Sequence, residues 1–242
     1  MKAESLPSVS NKNEVALASG GWGAAEAVAV DDLKLPRILL QQALSDLVNA
    51  DKAKPGEFRD SIEGTLLGDD KKPCEIVIFD SFKTYTVMRK TPGKGKSEFV
   101  TIEPITPMNL KKPYEEPQAD GSTLVNIKTW NYYCLIPGKD VKESLPYMLS
   151  LSRTGNGAAR KLSLFFSRLS RMSRPSASVV IKLTSAKESN DMGTFYVPDV
   201  EISRDANKDE LDTARYWYDS IRSAAVNVIA DPISHDDDEI PF

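Results

Sequence analysis

Residues 145–184 contain the sequence LPYMLSLSRTGNGAARKLSLFFSRLSRMSRPSASVVIKLT, in which a helical pattern lies between two β patterns. The first part, 145–153, and the last part, 178–184, are rich in apolar and β-branched residues, which is typical of strands. Between them, Gly155 opens a segment whose apolar residues recur at helical spacing and end before Pro175. The segment therefore predicts a strand, a helix and a second strand.

Further strand patterns lie on either side of this segment. Residues 74–79 and 82–89 predict one bent strand or a hairpin, and residues 123–136 predict a long strand. After the helix, residues 194–202 predict another strand, and apolar residues at three- or four-residue spacing predict a C-terminal helix over 208–229. This order indicates an α+β fold, mainly β with helices. We expect an OB-fold-like five-stranded barrel with a helix between strands 3 and 4, an extra N-terminal segment and a C-terminal helix.

Composition divides the chain into four parts. A stretch rich in Ala, Ser and Gly predicts a flexible N-terminal arm over 1–33, and the OB-fold-like domain is expected over 34–205. The C-terminal helix is placed at 206–230. Residues 231–242 are polar and acidic and predict a disordered tail.

The counts of cysteine and histidine exclude several classes of protein. Cys74 and Cys134 lie in strand patterns and are expected to be buried thiols, and the only histidine, His235, lies in the tail. A zinc site usually needs four Cys or His ligands, and a nucleophilic triad needs a folded base. Residues 95–97 resemble the end of a phosphate-binding loop whose first glycine is missing. We therefore expect no catalytic residues, no metal site and no cofactor.

The net charge of −4 conceals a division into blocks. Residues 1–70 carry 7 Lys and Arg against 12 Asp and Glu, and residues 188–242 carry 4 against 14. Residues 71–187 carry 20 against 9, a net charge of +11, and residues 144–187 contain eight basic residues and no acidic one. A basic middle of this kind is typical of a polyanion site. We therefore expect the middle of the chain to bind nucleic acid.

Aromatic rings alternate with cations in this basic middle, as a surface for single strands requires. Cations neutralise phosphates, and each base stacked on a ring contributes ~1–3 kcal/mol. Strand alternation places Lys128, Trp130 and Tyr132 on one face, which we predict to face solvent. The alternative is the opposite face, which carries Tyr133. The predicted DNA contacts, which include the basic glycine loop 91–97, are Lys83, Tyr85, Arg89, Lys90, Lys94, Lys96, Lys128, Trp130, Tyr132, Arg153, Arg160, Lys161 and Lys182.

The sequence ends with an acidic run followed by Ile-Pro-Phe. This ending resembles the C-terminal tip of bacterial single-stranded DNA-binding proteins, with Glu239 where that tip commonly has another Asp. The resemblance implies that the tip docks host or phage replication, recombination and repair proteins. Phe242 and its carboxylate can anchor the peptide, Pro241 stiffens it, and the acidic run favours basic partners. The predicted docking residues are Asp236, Asp237, Asp238, Glu239, Ile240, Pro241 and Phe242.

A looser resemblance lies near the start of the body. Residues 35–37, 53–57 and 64–68, with the sequences LPR, AKPGE and GTLLG, are similar to phage-encoded proteins associated with replication modules. The resemblance implies a phage protein that acts in the cytoplasm of a bacterial host. In agreement, we find no apolar run close to the roughly 20 residues of a membrane helix, and no secretion-type apolar region at the N-terminus.

Together these patterns predict a protein that binds and protects single-stranded DNA with little sequence preference and recruits other proteins through its tip. Three alternatives stay open. A strand-annealing or recombination mediator protein would use the same surface. A metal-dependent nuclease would use carboxylates, for which Asp69 and Lys71 offer a short motif. An adaptor would use the tip alone and bind no DNA.

Overall fold

The computed structural model describes residues 35–138, 145–191 and 193–223. The arm predicted over 1–33, the predicted helix beyond residue 223 and the acidic tail with its tip lie outside the described residues. Within the described ranges the chain is mainly β with a few helices, which confirms the predicted fold class at that level. None of the helices in these ranges has the length and apolar character needed to cross a membrane.

Ten strands form one connected, curled sheet that resembles half of a barrel. Across the sheet the order is β10-β9-β4-β7-β8-β1-β2-β3, with β5 paired to β4 and β6 paired to β7. The prediction of five strands is therefore too low for the sheet as a whole. The strands are β1 Arg37–Leu40, β2 Phe58–Asp60, β3 Leu66–Gly68, β4 Cys74–Lys90, β5 Glu98–Pro104, β6 Glu115–Pro117, β7 Thr123–Leu135, β8 Tyr147–Leu151, β9 Val179–Asn190 and β10 Gly193–Asp205. The helices are α1 Asp46–Asn49, α2 Asn156–Arg171 and α3 Lys208–Ser223, with 3-10 turns at Arg153–Gly155 and Ser176–Ser178.

Strand β4 is long enough to pair with three other strands. One edge pairs with β7 over residues 77–90, and the other edge pairs with β9 at 74–76 and with β5 at 84–89. A bulge between Ile78 and Asp80 shifts the register against β7, and a bulge of this kind bends a strand. The two apolar runs in this region thus belong to one bent strand, which was one of the two predicted alternatives.

The strands beyond the predicted five come from short segments. The segment before residue 70 forms β1, β2 and β3. Strand β1 continues the sheet by pairing in parallel with β8. Strand β5 pairs back on β4, and β6 pairs with the start of β7. Helix α2 connects β8 to β9, so the predicted strand–helix–strand order over 145–184 is confirmed.

Helices cover the sheet on both faces and create two apolar clusters. On one face, which we call the α2 face, Leu162 of α2 belongs to a buried cluster with Ile76 and Tyr132. On the other, the α3 face, Ala214 of α3 belongs to a cluster with Tyr133. Because these consecutive tyrosines are both buried, the end of β7 has no solvent-facing side, as is typical of a central strand.

Helix α3 begins with a reciprocal pair of hydrogen bonds. The backbone N–H of Glu210 donates to Asn207 Oδ1 at 2.9 Å, and the backbone N–H of Asn207 donates to Glu210 Oε2 at 2.8 Å. This arrangement is a capping box, with Asn in place of the usual Ser or Thr. Arg204 of β10 hydrogen-bonds to the same carboxylate at 2.7 Å and lowers the pKa of Glu210. The network therefore fixes the start of α3 against β10.

Candidate nucleic-acid interface

The register of β4 against β7 brings predicted DNA contacts from two strands together. Lys83 lies directly opposite Trp130, and Tyr85 lies directly opposite Lys128. Residues directly opposite each other in an antiparallel pair project from the same face of the sheet. All four therefore lie on the α2 face, which also carries Tyr132, as the alternation along β7 predicts.

Three of these residues, Lys83, Lys128 and Trp130, keep accessible surface, and we call them the sheet cluster. Lys83 is exposed, whereas Lys128 and Trp130 are half-buried. Lys128 Nζ lies over the Trp130 ring, 5.4 Å from the ring centroid, which is a cation–π distance. The same ring packs against the apolar cluster of the α2 face. The sheet cluster thus presents an anchored aromatic ring beside two ammonium groups.

Tyr132 does not belong to this accessible surface. Its side chain is 2% exposed, its hydroxyl donates to the Ala159 carbonyl oxygen at 3.4 Å, and its ring meets the Phe166 ring edge-on at 6.3 Å. Burial raises the pKa of Tyr132 to about 12. The prediction that Tyr132 faces solvent and contacts DNA is therefore wrong, because helix α2 covers this end of the α2 face.

Tyr85 is covered in a comparable way by the loop between β5 and β6. The residue is 4% exposed, and its hydroxyl donates to the Leu110 carbonyl oxygen at 3.1 Å. Lys112 of the same loop pairs with Glu103 of β5 at 3.0 Å, which holds the loop against the sheet. With the loop in this position the Tyr85 ring is not accessible to a base, so the structure does not place it on the accessible surface of the sheet cluster.

The predicted phosphate contacts at the end of β4 lie apart from the sheet cluster. Lys90 lies seven residue steps along β4 from Lys83, which corresponds to roughly 23 Å. Lys90 and Lys96 are exposed and make no ion pair with any residue that the structure describes. Lys90 at the end of β4 and Lys96 in the loop that follows therefore form a second group of cations, separate from the sheet cluster.

Two other cations near that loop are matched by carboxylates. Lys94 Nζ lies 2.7 Å from Glu98, and this hydrogen bond lowers the pKa of the Glu98 carboxyl. Arg89 lies 3.9 Å from Asp120, whose pKa is lowered mainly by hydrogen bonds from Ser122. Arg89 and Lys94 thus offer less free charge to a polyanion than Lys90 and Lys96 do.

Lys161 is matched by a carboxylate as well, and Lys182 has acidic residues opposite it on both neighbouring strands. Lys161 of α2 pairs with Asp199 of β10 at 2.9 Å. Lys182 of β9 lies between Glu75 and Glu201 in the strand registers, on the α3 face and away from the sheet cluster. The structure therefore does not bring Lys182 together with the other predicted contacts.

Two arginines of α2 belong with the predicted contacts, although the sequence prediction did not include them. Arg168 and Arg171 are exposed and lie on the same side of α2 as Arg160, within about 80° around the helix axis. We call these three residues the α2 stripe. The sequence carried the signal for them, because the predicted helix has no acidic residue and its cations recur at helical spacing.

The cysteines and Asp69, which could in principle react or bind metal, are buried or hydrogen-bonded within the fold. Among the described residues, no group of three or more His, Cys, Asp and Glu side chains is placed to hold a metal ion. Cys74 and Cys134 are buried, and burial raises the pKa of the Cys74 thiol to about 12. Asp69 Oδ1 accepts the backbone N–H groups of Lys72 and Lys71 at 2.6 and 2.8 Å, which lowers the pKa of its carboxyl. Asp69 thus closes the turn before β4.

The predicted docking tip, residues 236–242, lies outside the described residues. Its role in binding other proteins therefore stays a prediction from the sequence. The arm predicted over 1–33 likewise stays a prediction from the sequence.

Over most of its length the chain matches one family of known proteins. No curated protein and no solved structure matches it. A family model described as Pam3 phage gp34-like protein matches residues 6–227, a span that includes every described strand and helix. The chain therefore belongs to the Pam3 phage gp34-like protein family.

Proposed function

We propose that the protein binds and protects single-stranded DNA, with little sequence preference, during phage DNA replication, recombination and repair. The observation that carries this proposal is the sheet cluster, in which Lys83 lies opposite Trp130 and the Lys128 ammonium lies 5.4 Å from the ring centroid. A ring anchored on the core and flanked by cations suits a stacked base and its phosphates. Membership of a phage family supports the phage setting.

The chemistry of the sheet cluster favours single strands over duplexes. A base stacks on the Trp130 ring, and the ammonium groups of Lys83 and Lys128 neutralise the phosphates beside it. Every base has a π face, so stacking of this kind selects no particular sequence. In a duplex the π faces are occupied by neighbouring base pairs, so this contact is lost.

The charge of the middle of the chain supports the same proposal at longer range. Residues 71–187 have a net charge of +11. Several of these cations, such as Lys94 and Lys161, are matched by nearby carboxylates, but the sheet cluster and the α2 stripe make no ion pair among the described residues. These two groups, like Lys90 and Lys96 near the loop after β4, therefore attract an approaching strand.

We further infer that five strands, β4, β7, β8, β9 and β10, correspond to an OB fold. Their chain order, with α2 between the third and the fourth, supports this assignment. Strand β4 pairs with β9 at its start and with β7 along the rest, as a bent strand shared by two parts of a barrel does. The other five strands are then additions at its edges.

The OB-fold assignment agrees with the position of the sheet cluster. OB folds bind oligonucleotides on the face formed by their second and third strands. Under the proposed correspondence these strands are β7 and β8, and Trp130 of β7 lies directly opposite Leu151 of β8. Arg153 follows two residues later, at the same end of β8.

The DNA-binding proposal is tested by titrating the full-length protein into labelled oligo-dT and into a matched duplex at two salt concentrations. We expect tighter binding to the single strand, with an affinity that falls with salt at a log–log slope of about −0.7 per neutralised phosphate. A mixed-sequence oligonucleotide is the control and should bind within a few-fold of oligo-dT. Equal affinity for duplex and single strand would count against the proposal.

We also propose that residues 236–242 recruit host or phage replication, recombination and repair proteins. The support is the resemblance of this ending to the tip of bacterial single-stranded DNA-binding proteins, together with its terminal Phe242 anchor. Deleting residues 240–242 should abolish capture of such proteins from a bacterial host and leave DNA affinity nearly unchanged. The control variant Asp236→Asn keeps the anchor and should retain most capture. Undiminished capture by the deletion variant would refute this role.

A further inference from the structure

The cations of α2 fall into two groups with different surroundings. Those that face β10 are matched, because Lys161 pairs with Asp199 and Arg174, just after the helix, pairs with Asp205. The outward-facing α2 stripe of Arg160, Arg168 and Arg171 forms no ion pair in the part of the chain that the structure describes. The fold therefore neutralises Lys161 and Arg174 and leaves the three arginines of the stripe open to an external anion.

The geometry of the α2 stripe suits an extended polyanion. From Arg160 to Arg171 the helix advances about 16 Å, so the guanidinium groups can follow several successive phosphates. Ser167 is exposed on the same side and offers a hydroxyl donor, as is common at phosphate contacts. The rings of Phe165 and Phe166 are instead half-buried and pack against the apolar cluster of the α2 face. The stripe thus has donors for a backbone and no exposed ring for bases.

The start of α2 lies close to the part of β7 that carries the sheet cluster. Trp130 lies opposite Leu151, the last residue of β8, and α2 begins at Asn156 after a short 3-10 turn. Under the second turn of α2, the Ala159 carbonyl accepts the hydrogen bond from Tyr132, two residues along β7 from Trp130. A strand that leaves the sheet cluster therefore meets Arg160 first and the other two arginines later.

We propose that the α2 stripe binds the phosphodiester backbone of the same DNA single strand, beyond the nucleotides held by the sheet cluster. This inference rests on the proposed function and extends it. The sheet cluster stacks bases and so distinguishes single strands from duplexes. The stripe contributes affinity through phosphates alone, which lengthens the DNA site without adding sequence preference.

The test compares two oligonucleotide lengths in the full-length protein and in the Arg168→Ala/Arg171→Ala double variant. Oligo-dT of about 6 and about 20 nucleotides brackets the roughly 4–16 nucleotides that an OB fold covers. For the longer oligonucleotide, the log–log salt slope should decrease in magnitude by about 1.4, because two phosphate contacts are lost. For the shorter one, which the sheet cluster can hold, affinity and slope should match those of the wild type.

Two matched variants serve as controls. Lys208→Ala/Arg215→Ala removes the same charge from exposed positions of α3 and should leave the salt slope for both lengths unchanged. Arg168→Lys/Arg171→Lys keeps the charge of the stripe and should keep most of the slope. Circular dichroism of each variant verifies that α2 is intact, as expected for side chains exposed in the structure.

Specific outcomes overturn the inference. A wild-type slope for the longer oligonucleotide in the α2 double variant means that the stripe does not contact DNA, while the proposed function stands as long as the wild type prefers single strands. A wild-type protein that binds neither length refutes the proposed function itself. If the double alanine substitution raises affinity in the full chain but has no effect after truncation from Ser234, the occupant is the acidic tail and not DNA.

Discussion

Helices α2 and α3 both contain 16 residues and cover opposite faces of the same sheet, yet their charges differ. Helix α2 carries 4 Lys and Arg and no acidic residue, whereas α3 carries 3 against 4 Asp and Glu. Both bury an apolar side, through Leu162 in α2 and through Ala214 and Ile221 in α3. The difference is therefore confined to the outward sides, and it shows that packing does not determine what a helix presents to solvent.

The cations of α3 are also placed differently from those of α2. Arg215 lies 3.8 Å from Asp219 one turn along the same helix, and Arg222 lies 3.2 Å from Asp80 of β4. Arg222 also lies over the Tyr218 ring. These contacts tie two of the three basic groups of α3 to their own surroundings. The α2 face and the α3 face thus differ in their capacity to attract a polyanion.

The largest expected effect concerns the side of α2 that is buried. Leu162→Ala should lower the free energy of unfolding by about 2–5 kcal/mol, because Leu162 is 0% exposed and its removal leaves a cavity. Leu164→Ala, one half-turn away and 50% exposed, should change it by about 0.5 kcal/mol or less. Urea denaturation measures both. Equal losses for the two variants would mean that the outward side of α2 also carries packing.

The next effect distinguishes a residue of the α2 face that is proposed to bind DNA, Trp130, from one that packs in the core, Tyr132. Trp130→Ala should weaken binding to oligo-dT by roughly 5- to 150-fold, which corresponds to the loss of one stacked base at about 1–3 kcal/mol. Tyr132→Phe is the matched control, because it removes only a buried hydroxyl and should leave DNA affinity unchanged. Fluorescence anisotropy measures the affinities. A Trp130→Ala protein that fails to fold would instead identify this ring as part of the core.

A smaller effect tests how firmly the start of α3 is held. The pKa of Glu210 is lowered in the folded state, so its ionised form adds stability above the unfolded pKa of about 4.3. Glu210→Gln keeps the cap and loses the charge, and should cost about 1 kcal/mol at pH 7. This cost should vanish as the pH falls through the folded pKa. Asp209→Asn, an exposed neighbour, should show a smaller change at both pH values, as measured by urea unfolding at pH 7 and pH 3.

The smallest effect concerns the acidic residues that follow α3. Truncation from Ser234 removes Asp236–Glu239, which are tethered to the same molecule and can compete with DNA for the basic groups. DNA affinity should rise by less than about fivefold, most visibly at low salt where screening is weak. Deletion of 240–242 alone keeps the acidic run and should produce a smaller rise. Weaker DNA binding after the longer truncation would contradict competition by the tail.

The local sequence pattern was sufficient to predict helix α2 and strands β4 and β7. The apolar spacing of α2 and the proline at position 175 bound the helix, and the structure places it at Asn156–Arg171. The long alternation of β7 and the two runs of β4 likewise predicted strands where strands occur. In each case the signal and the structure occupy the same short stretch of chain.

Features that depend on distant segments could not be predicted in this way. Tyr132 is buried by contact with Ala159, 27 residues away, and Tyr85 by contact with Leu110, 25 residues away. Alternation identifies the face that a residue shares, but it cannot show which segment later covers that face. The four-residue strand β1 is similar, because only its pairing with β8, more than 100 residues later, makes it part of the sheet.

The bulge between Ile78 and Asp80 also changes which residues of β4, even-numbered or odd-numbered, face α2. Before it, the even-numbered residues Cys74, Ile76 and Ile78 enter the cluster under α2; after it, the odd-numbered Lys83 shares that side with Trp130. One strand can therefore build the core with one half and the interface with the other. Deleting Phe79 alone would remove the bulge and leave Lys83 opposite Trp130 on the α2 face, whereas deleting two residues there would turn Lys83 to the α3 face. At this position the length of the chain controls the interface chemistry as much as the identity of its residues.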